Sequence, residues 1–131
     1  QMDLFIQYGM AAAHMALEEA GLVGDGLTGV DLDRVGVYVG AGLGGLGTIE
    51  ESVGTLAQKG PRHGISPYFV PSVIANLAPG QISLHHGFRG PNFSHVSACS
   101  TGAHSIGEAM RILERGDVDV MVAGGCEATI T

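Results

Sequence analysis

Apolar side chains recur at three- and four-residue spacing over residues 3–20, at Phe5, Tyr8, Ala12, Met15, Ala16 and Ala20. That period predicts an amphipathic helix with these residues facing inward. Asp3 suits its N-cap and Gly21 its stop. A polar, glycine-rich stretch over 24–33 predicts a loop. Residues 34–40, Arg-Val-Gly-Val-Tyr-Val-Gly, are rich in β-branched side chains and predict a buried strand. A glycine run follows over 40–47. Thr48, with Glu51 three residues on, fits a capping box and predicts a helix to about residue 58, ended by Gly60 and Pro61.

The second half begins with a loop over 63–68. Pro71 suits the first position of a helix that carries Val73, Ile74, Leu77 and Ile82. Pro79 interrupts that pattern and predicts a kink or two short pieces. Residues 87–91 predict a turn, and 92–98 a strand that leads into Cys99. Ala103, Ile106, Ala109, Met110 and Leu113 predict the inward face of the next helix, with Gly116 as its stop. Residues 118–123 predict a second strand, apolar except for Asp119. Strand, helix and strand with short joins make a βαβ unit, and the right-handed crossover makes its strands parallel. The fold class is α/β.

Composition narrows the classes. The chain has 131 residues, 45% hydrophobic and 15% charged, which supports one domain with a real core and excludes a disordered tail. The net charge of -7 argues against a nucleic-acid binder. Two distant cysteines make no disulfide framework, so reduced thiols and a cytoplasmic setting are expected. No apolar run has the length of a membrane span, and no signal-peptide pattern opens the chain. Helical periodicity starts almost at Gln1, and Thr131 follows directly on a strand and its loop. Both ends suggest a piece of a longer protein.

The candidate chemistry centres on Cys99, where an apolar β-type segment gives way to a helix. Unpaired backbone N–H groups and the positive end of a helix dipole favour a thiolate in such a place. Small neighbours (Ser97, Ala98, Ser100, Thr101, Gly102) leave room for a substrate and a tight turn. Gly40-x-Gly42-x-x-Gly45 has dinucleotide-fingerprint spacing, but no acidic residue ends a following strand about 20 residues on. A close-packed loop on a pocket floor is the alternative. His85 and His86 are adjacent, so on a helix they point about 100° apart and chelate poorly. His95 lies on the Cys99 side of its strand, and His104 reads as a helix-surface or packing residue. No local zinc spacing is present, and no metal site is expected. Cys126 reads as packing. Glu127 either accepts backbone N–H bonds or is solvated at an edge.

The run Ser97-Ala98-Cys99-Ser100-Thr101-Gly102-Ala103-His104-Ser105-Ile106-Gly107 closely resembles the nucleophile motif of β-ketoacyl-[acyl-carrier-protein] synthases of the elongating type, in the thiolase superfamily. Gly42-Leu43-Gly44-Gly45 resembles the family's glycine loop. Ser66-Pro67-Tyr68-Phe69-Val70-Pro71-Ser72 with Asn76, Gly87-Phe88-Arg89-Gly90-Pro91 and Ala123-Gly124-Gly125-Cys126-Glu127 agree in order and spacing. The resemblance implies an incomplete thiolase-like fold, part of the N-terminal half of a layered αβαβα architecture. Residues 1–131 would be a partial ketosynthase domain with no separate second domain.

The resemblance further implies a decarboxylative Claisen condensation in fatty acid biosynthesis. Cys99 would be the acylated nucleophile, its backbone N–H one oxyanion donor, and no metal or redox cofactor would be needed. Acyl carrier protein and the acyl and malonyl thioesters would be the partners. A homodimer would pair residues 92–96 across its two-fold axis. Leu43, Phe69 and Ile74 match positions that line the acyl pocket or lie near its end. The family's two catalytic histidines, its lysine and its second oxyanion donor belong to a C-terminal half that this sequence does not include, so the piece alone should be inactive. A polyketide ketosynthase, a chain-length-factor-like partner and a non-catalytic interaction module of the same fold are the competing readings. The presence of the cysteine disfavours the chain-length factor. The six Lys and Arg residues form no obvious basic patch, so docking residues for an acidic carrier protein are expected elsewhere.

Overall fold

Val35, Val37 and Val39 alternate along the first strand, and that alternation sets the architecture. The structure, a computed structural model, describes residues 2–130. Among the described residues there are five α-helices: α1 (Leu4–Glu19), α2 (Leu46–Lys59), α3 (Phe69–Val73), α4 (Leu77–His86) and α5 (Thr101–Glu114). Three strands form one sheet: β1 (Val35–Gly40), β2 (Asn92–Phe93) and β3 (Val120–Gly125), in the order β2-β1-β3. Both neighbours run parallel to β1, with Val37 opposite Asn92 and Val37 also opposite Val122. The βαβ unit built by β2, α5 and β3 is therefore parallel, and β1 lies between its strands.

The three β1 valines face α1 and α4 in a core with Phe5, Ile6, Leu17, Ile82 and Phe88. Burying a side chain of this size stabilises by about 1.5–3 kcal/mol. Gly40 faces the other way, toward α5. A Cβ there would stand 2.3 Å from the His95 carbonyl oxygen and 2.4 Å from Thr101 Cγ2. Glycine at this point lets the start of α5 lie directly on the sheet.

Several sequence expectations shift. In α1, Asp3 is the N-cap and accepts from Phe5 N, but the buried face is Phe5, Ile6, Gly9, Ala13 and Leu17. Tyr8 and Met15 point to solvent. Most positions of α1 are apolar or small, so the periodicity fits more than one stripe. The face chosen carries Gly9, where a Cβ would press on Cys126 Sγ at 3.0 Å. Helix α2 starts at Leu46, ahead of Thr48, so Thr48 is not its cap. Instead Asp3 Oδ2 accepts from Thr48 N at 3.0 Å and from Thr48 Oγ1 at 2.7 Å. One carboxylate thus satisfies donors at the starts of two helices.

The segment around Pro71 and Pro79 forms two pieces, α3 and α4, parted at Ile74, Ala75 and Asn76. Each proline is the third residue of its helix, where no intrahelical N–H bond is lost. Gly87 closes α4 in the left-handed conformation, φ 74°. The strand before Cys99 is shorter than its sequence suggests, because only Asn92 and Phe93 pair with β1.

Helix α5 turns inward a face that shares only Ala109 with the one its periodicity predicts. Thr101, Ser105, Ala109 and Ile112 are buried, whereas Ala103, Ile106, Met110 and Leu113 form an exposed apolar stripe. The buried hydroxyls are satisfied locally. Ser105 Oγ donates to the Thr101 carbonyl at 2.8 Å, and Thr101 Oγ1 accepts from Ser97 N at 2.9 Å. No helix among the described residues is long and apolar enough to cross a membrane.

Candidate active site

The end of β1, the entry to α5 and the end of β3 meet at one cleft of about 600 Å³, lined by Gly40, Leu43, Cys99, Gly102, Gly125 and Glu127 among others. Cys99 is exposed and sits in a single 3-10 turn, Ala98–Ser100, which runs straight into α5. Ala98, just before it, has φ 52° and is the one non-glycine residue with positive φ among the described residues. That conformation costs a side chain about 1–2 kcal/mol. It reverses the chain sharply enough to present the thiol at the cleft rather than inside the sheet.

Hydrogen bonds fix this turn from both sides. Ser100 N donates to the Ser97 carbonyl at 3.1 Å. Ser97 Oγ lies 2.7 Å from His104 Nδ1, one turn along α5. His95 stacks edge-on against His104 with centroids 5.2 Å apart. The histidines flanking the cysteine therefore brace its turn. In the sequence His104 reads as a surface or packing residue, and its seven-residue spacing from Ser97 carries no signal for this contact.

The glycine loop forms the opposite wall. Glu127 accepts from Leu43 N at 2.7 Å and from Gly44 N at 3.2 Å, which settles its role as a backbone acceptor. Two successive N–H groups that would cradle a phosphate are thus taken by a carboxylate of the same chain. The start of α2 is likewise tied to Asp3. The loop is a close-packed pocket wall and has no free anion cradle at these positions, so the dinucleotide reading fails on geometry. Gly102 and Gly125 let α5 and β3 touch, since a Cβ on Gly125 would stand 3.0 Å from Gly102 Cα.

The two thiols differ in setting. Cys126 lines the rear of the cleft, is half-buried, and donates its backbone N–H to the Gly40 carbonyl at 3.0 Å. Burial, and then the charge of Glu127, push its thiol up to about 11. Cys126 stays protonated near neutrality and does not act as a nucleophile there.

The remaining sequence-picked positions separate. Leu43 is two-thirds exposed and shares the cleft with Cys99. Phe69 lines a second cavity of about 410 Å³ between α2 and the 63–68 loop. Ile74 caps α3 with its side chain partly exposed, and it lines neither cavity.

Cleft, exposed thiol and parallel sheet together define an α/β protein with a cysteine at a strand-to-helix turn. Residues 1–131 match the family described as β-ketoacyl synthase, N-terminal domain, and the chain belongs to that family. It is 52% identical over 132 residues to 3-oxoacyl-[acyl-carrier-protein] synthase 2 of Rhizobium meliloti (strain 1021), covering 99% of this chain and 30% of that protein. The synthase of the same name from Vibrio harveyi is 49% identical, over 100% of this chain and 31% of the relative. The chain thus spans about a third of the length of these curated relatives.

Solved structures agree on the fold, which is that of the ketosynthases. A ketosynthase of a type II polyketide synthase, in complex with its acyl-carrier protein and bound to a hexaketide, superposes with a TM-score of 0.84 at 32% identity. The match covers 98% of this chain and 36% of that one. The ishigamide ketosynthase/chain length factor gives 0.83 at 25% identity, covering 98% and 31%.

Proposed function

We propose that the full-length protein containing this chain is a carrier-protein-dependent 3-oxoacyl synthase of fatty acid biosynthesis, with Cys99 as its nucleophile. One observation carries the reading: the only exposed thiol among the described residues stands at the head of α5, on the rim of the cleft built by the family's glycine loop. In this mechanism the Cys99 thiolate attacks the carbonyl carbon of an acyl thioester. The carrier thiol leaves and takes up the proton. A malonyl thioester then loses carbon dioxide, and its carbanion attacks the acyl-cysteine carbonyl. The Cys99 thiolate departs, and the product is a 3-oxoacyl thioester longer by two carbons. Splitting the reaction this way separates acyl transfer from carbon–carbon bond formation.

The Cys99 backbone N–H serves as one oxyanion donor on this reading, and Leu43, which shares the cleft with Cys99, lines the acyl pocket, while Phe69 and Ile74, outside that cleft, belong to its far end. Residues 1–131 form part of the N-terminal half of a single ketosynthase domain. The free thiols of Cys99 and Cys126 fit a reducing, cytoplasmic setting. Acyl carrier protein is the macromolecular partner. Arg34, Arg89, Arg111 and Arg115 are each paired with a carboxylate of this chain, which supports docking through cations elsewhere. A homodimer is supported by the position of β2 at the sheet edge, with Phe93 and Val96 exposed beside it.

In the full-length protein, Cys99→Ala should abolish covalent labelling by an acyl-carrier-protein thioester, read by intact-protein mass spectrometry. Labelling that persists in the variant would overturn the assignment. The structural likeness to polyketide ketosynthases favours a second reading, in which the condensation builds a polyketide. Product analysis with defined acyl and malonyl carriers separates the two: reduction-ready single 3-oxoacyl products support the first, and poly-3-oxo chains the second.

A further inference from the structure

His85 and His86, which as neighbours on α4 chelate poorly by themselves, are joined in the structure by His14 from α1. One ligand nitrogen from each of the three lies within 4.8 Å of the others. His86 stacks on His14 at 5.6 Å with 17° between the rings, and on Phe88 at 5.3 Å with 16°. His85 meets His86 edge-on at 4.8 Å and His14 at 6.4 Å. Glu18, one turn after His14, places Oε1 3.4 Å from His14 Nε2. We propose that this His14–His85–His86 cluster, with Glu18 at its rim, binds a late first-row divalent cation, zinc foremost, and so clips α1 to α4.

The donor set suits that class of ion. Three imidazoles select Zn(II), Ni(II) or Cu(II) over Mg(II) or Ca(II), which take oxygen ligands. A tetrahedral shell with Zn–N of about 2.0–2.1 Å places nitrogens about 3.3 Å apart. Closing the cluster from 4.8 Å requires small rotations of His14 and His85. Both are exposed, so those rotations meet little packing resistance. His86 is the fixed member, half-buried and held between two rings. Burial, then the neighbouring His85 and His14, hold its imidazole below the usual histidine range. The Glu18 carboxylate adds a negative charge that favours a cation at the rim.

None of these residues lines the Cys99 cleft, so the site is separate from the proposed chemistry and does not rest on it. The three histidines come from two helices that pack against each other, so a bound ion would act as a cross-link within the fold. Its contribution would follow from binding the folded state alone.

The test uses the tag-free, chelator-stripped full-length protein in a Cys99→Ala background, which removes the exposed thiol as a competing ligand. Titration with Co(II) is followed by visible absorption and with Zn(II) by calorimetry. One equivalent should bind saturably, and Zn(II) should raise the melting temperature. His86→Phe, which keeps the ring stack, and His14→Gln should each weaken binding at least tenfold, and the double variant should lose both the absorption bands and the thermal shift. Absence of saturable binding, or binding undiminished in a double variant whose circular dichroism matches the parent, overturns the proposal.

Discussion

Cys99 and Cys126 show how far a residue's chemistry depends on a few ångströms of surroundings. They are 27 positions apart and border the same cleft, yet one is exposed and the other is half-buried beside Glu127. With its thiol held near 11, Cys126 carries almost no thiolate at pH 8. A brief iodoacetamide pulse on the folded full-length protein should therefore modify Cys99 and leave Cys126 largely unlabelled, as read by peptide mass spectrometry. Equal labelling of both would show that Cys126 is neither shielded nor raised. The sequence already distinguished these two cysteines, because small residues around Cys99 and an apolar run before Cys126 are local signals. It did not reveal Ala98, since no residue type announces a positive φ at an alanine. Glu127 is ambiguous in sequence for a related reason: its partners, Leu43 and Gly44, lie more than 80 positions away.

At the scale of elements, type and order were legible, but inward faces were not. Helix α5 illustrates the cause. Its periodicity offers Ala103, Ile106, Ala109, Met110 and Leu113, and of these the sheet takes only Ala109, adding Thr101, Ser105 and Ile112. Small side chains with self-satisfied hydroxyls allow closer approach than a leucine stripe would, and Gly40 on β1 answers them. Hydropathy cannot rank such a face, because it scores serine and threonine as solvent-seeking. The contact also makes a sharp prediction. Gly40→Ala forces a Cβ against the His95 carbonyl and Thr101, and such overpacking should cost about 1–3 kcal/mol. Chemical denaturation of the full-length variant checks the loss. Cys99 acylation should slow with it, because the same displaced atoms hold the turn that carries the thiol. The break between α3 and α4 was legible from its prolines. The start of α2 was not, since its orphan N–H group is capped by Asp3 from another helix rather than from its own flank.

For the whole molecule, the sheet is drawn together by β1, which pairs with both other strands. Arg34, at its start, reaches across to the loop before β3. Its guanidinium donates to both Asp119 oxygens at 2.8 Å and to the Gly116 carbonyl at 2.8 Å. Those hydrogen bonds, and then the charge of Arg34, hold the Asp119 carboxyl below its usual range. A carboxylate depressed in this way stabilises the fold above its unfolded value, near 3.8, and loses that contribution as pH falls further. Thermal melts of the full-length protein and of Asp119→Asn should therefore differ at pH 7 and converge below about pH 4. A gap that persists in acid would assign the effect to packing. This pairing was invisible in sequence because its partners are 85 residues apart. The α/β class, the parallel crossover and the family were legible because each rests on local patterns that recur in order along nearly the entire chain.

The outward stripe of α5 has a consequence during synthesis. While this stretch is newly made, Ile106, Met110 and Leu113 present a greasy ridge to the crowded cell. Such surfaces are what holdase chaperones grip and what promotes clumping when they are left bare. Relatives of this chain carry more than twice as much polypeptide again beyond the matched region, so folding to completion depends on how soon that ridge is shielded.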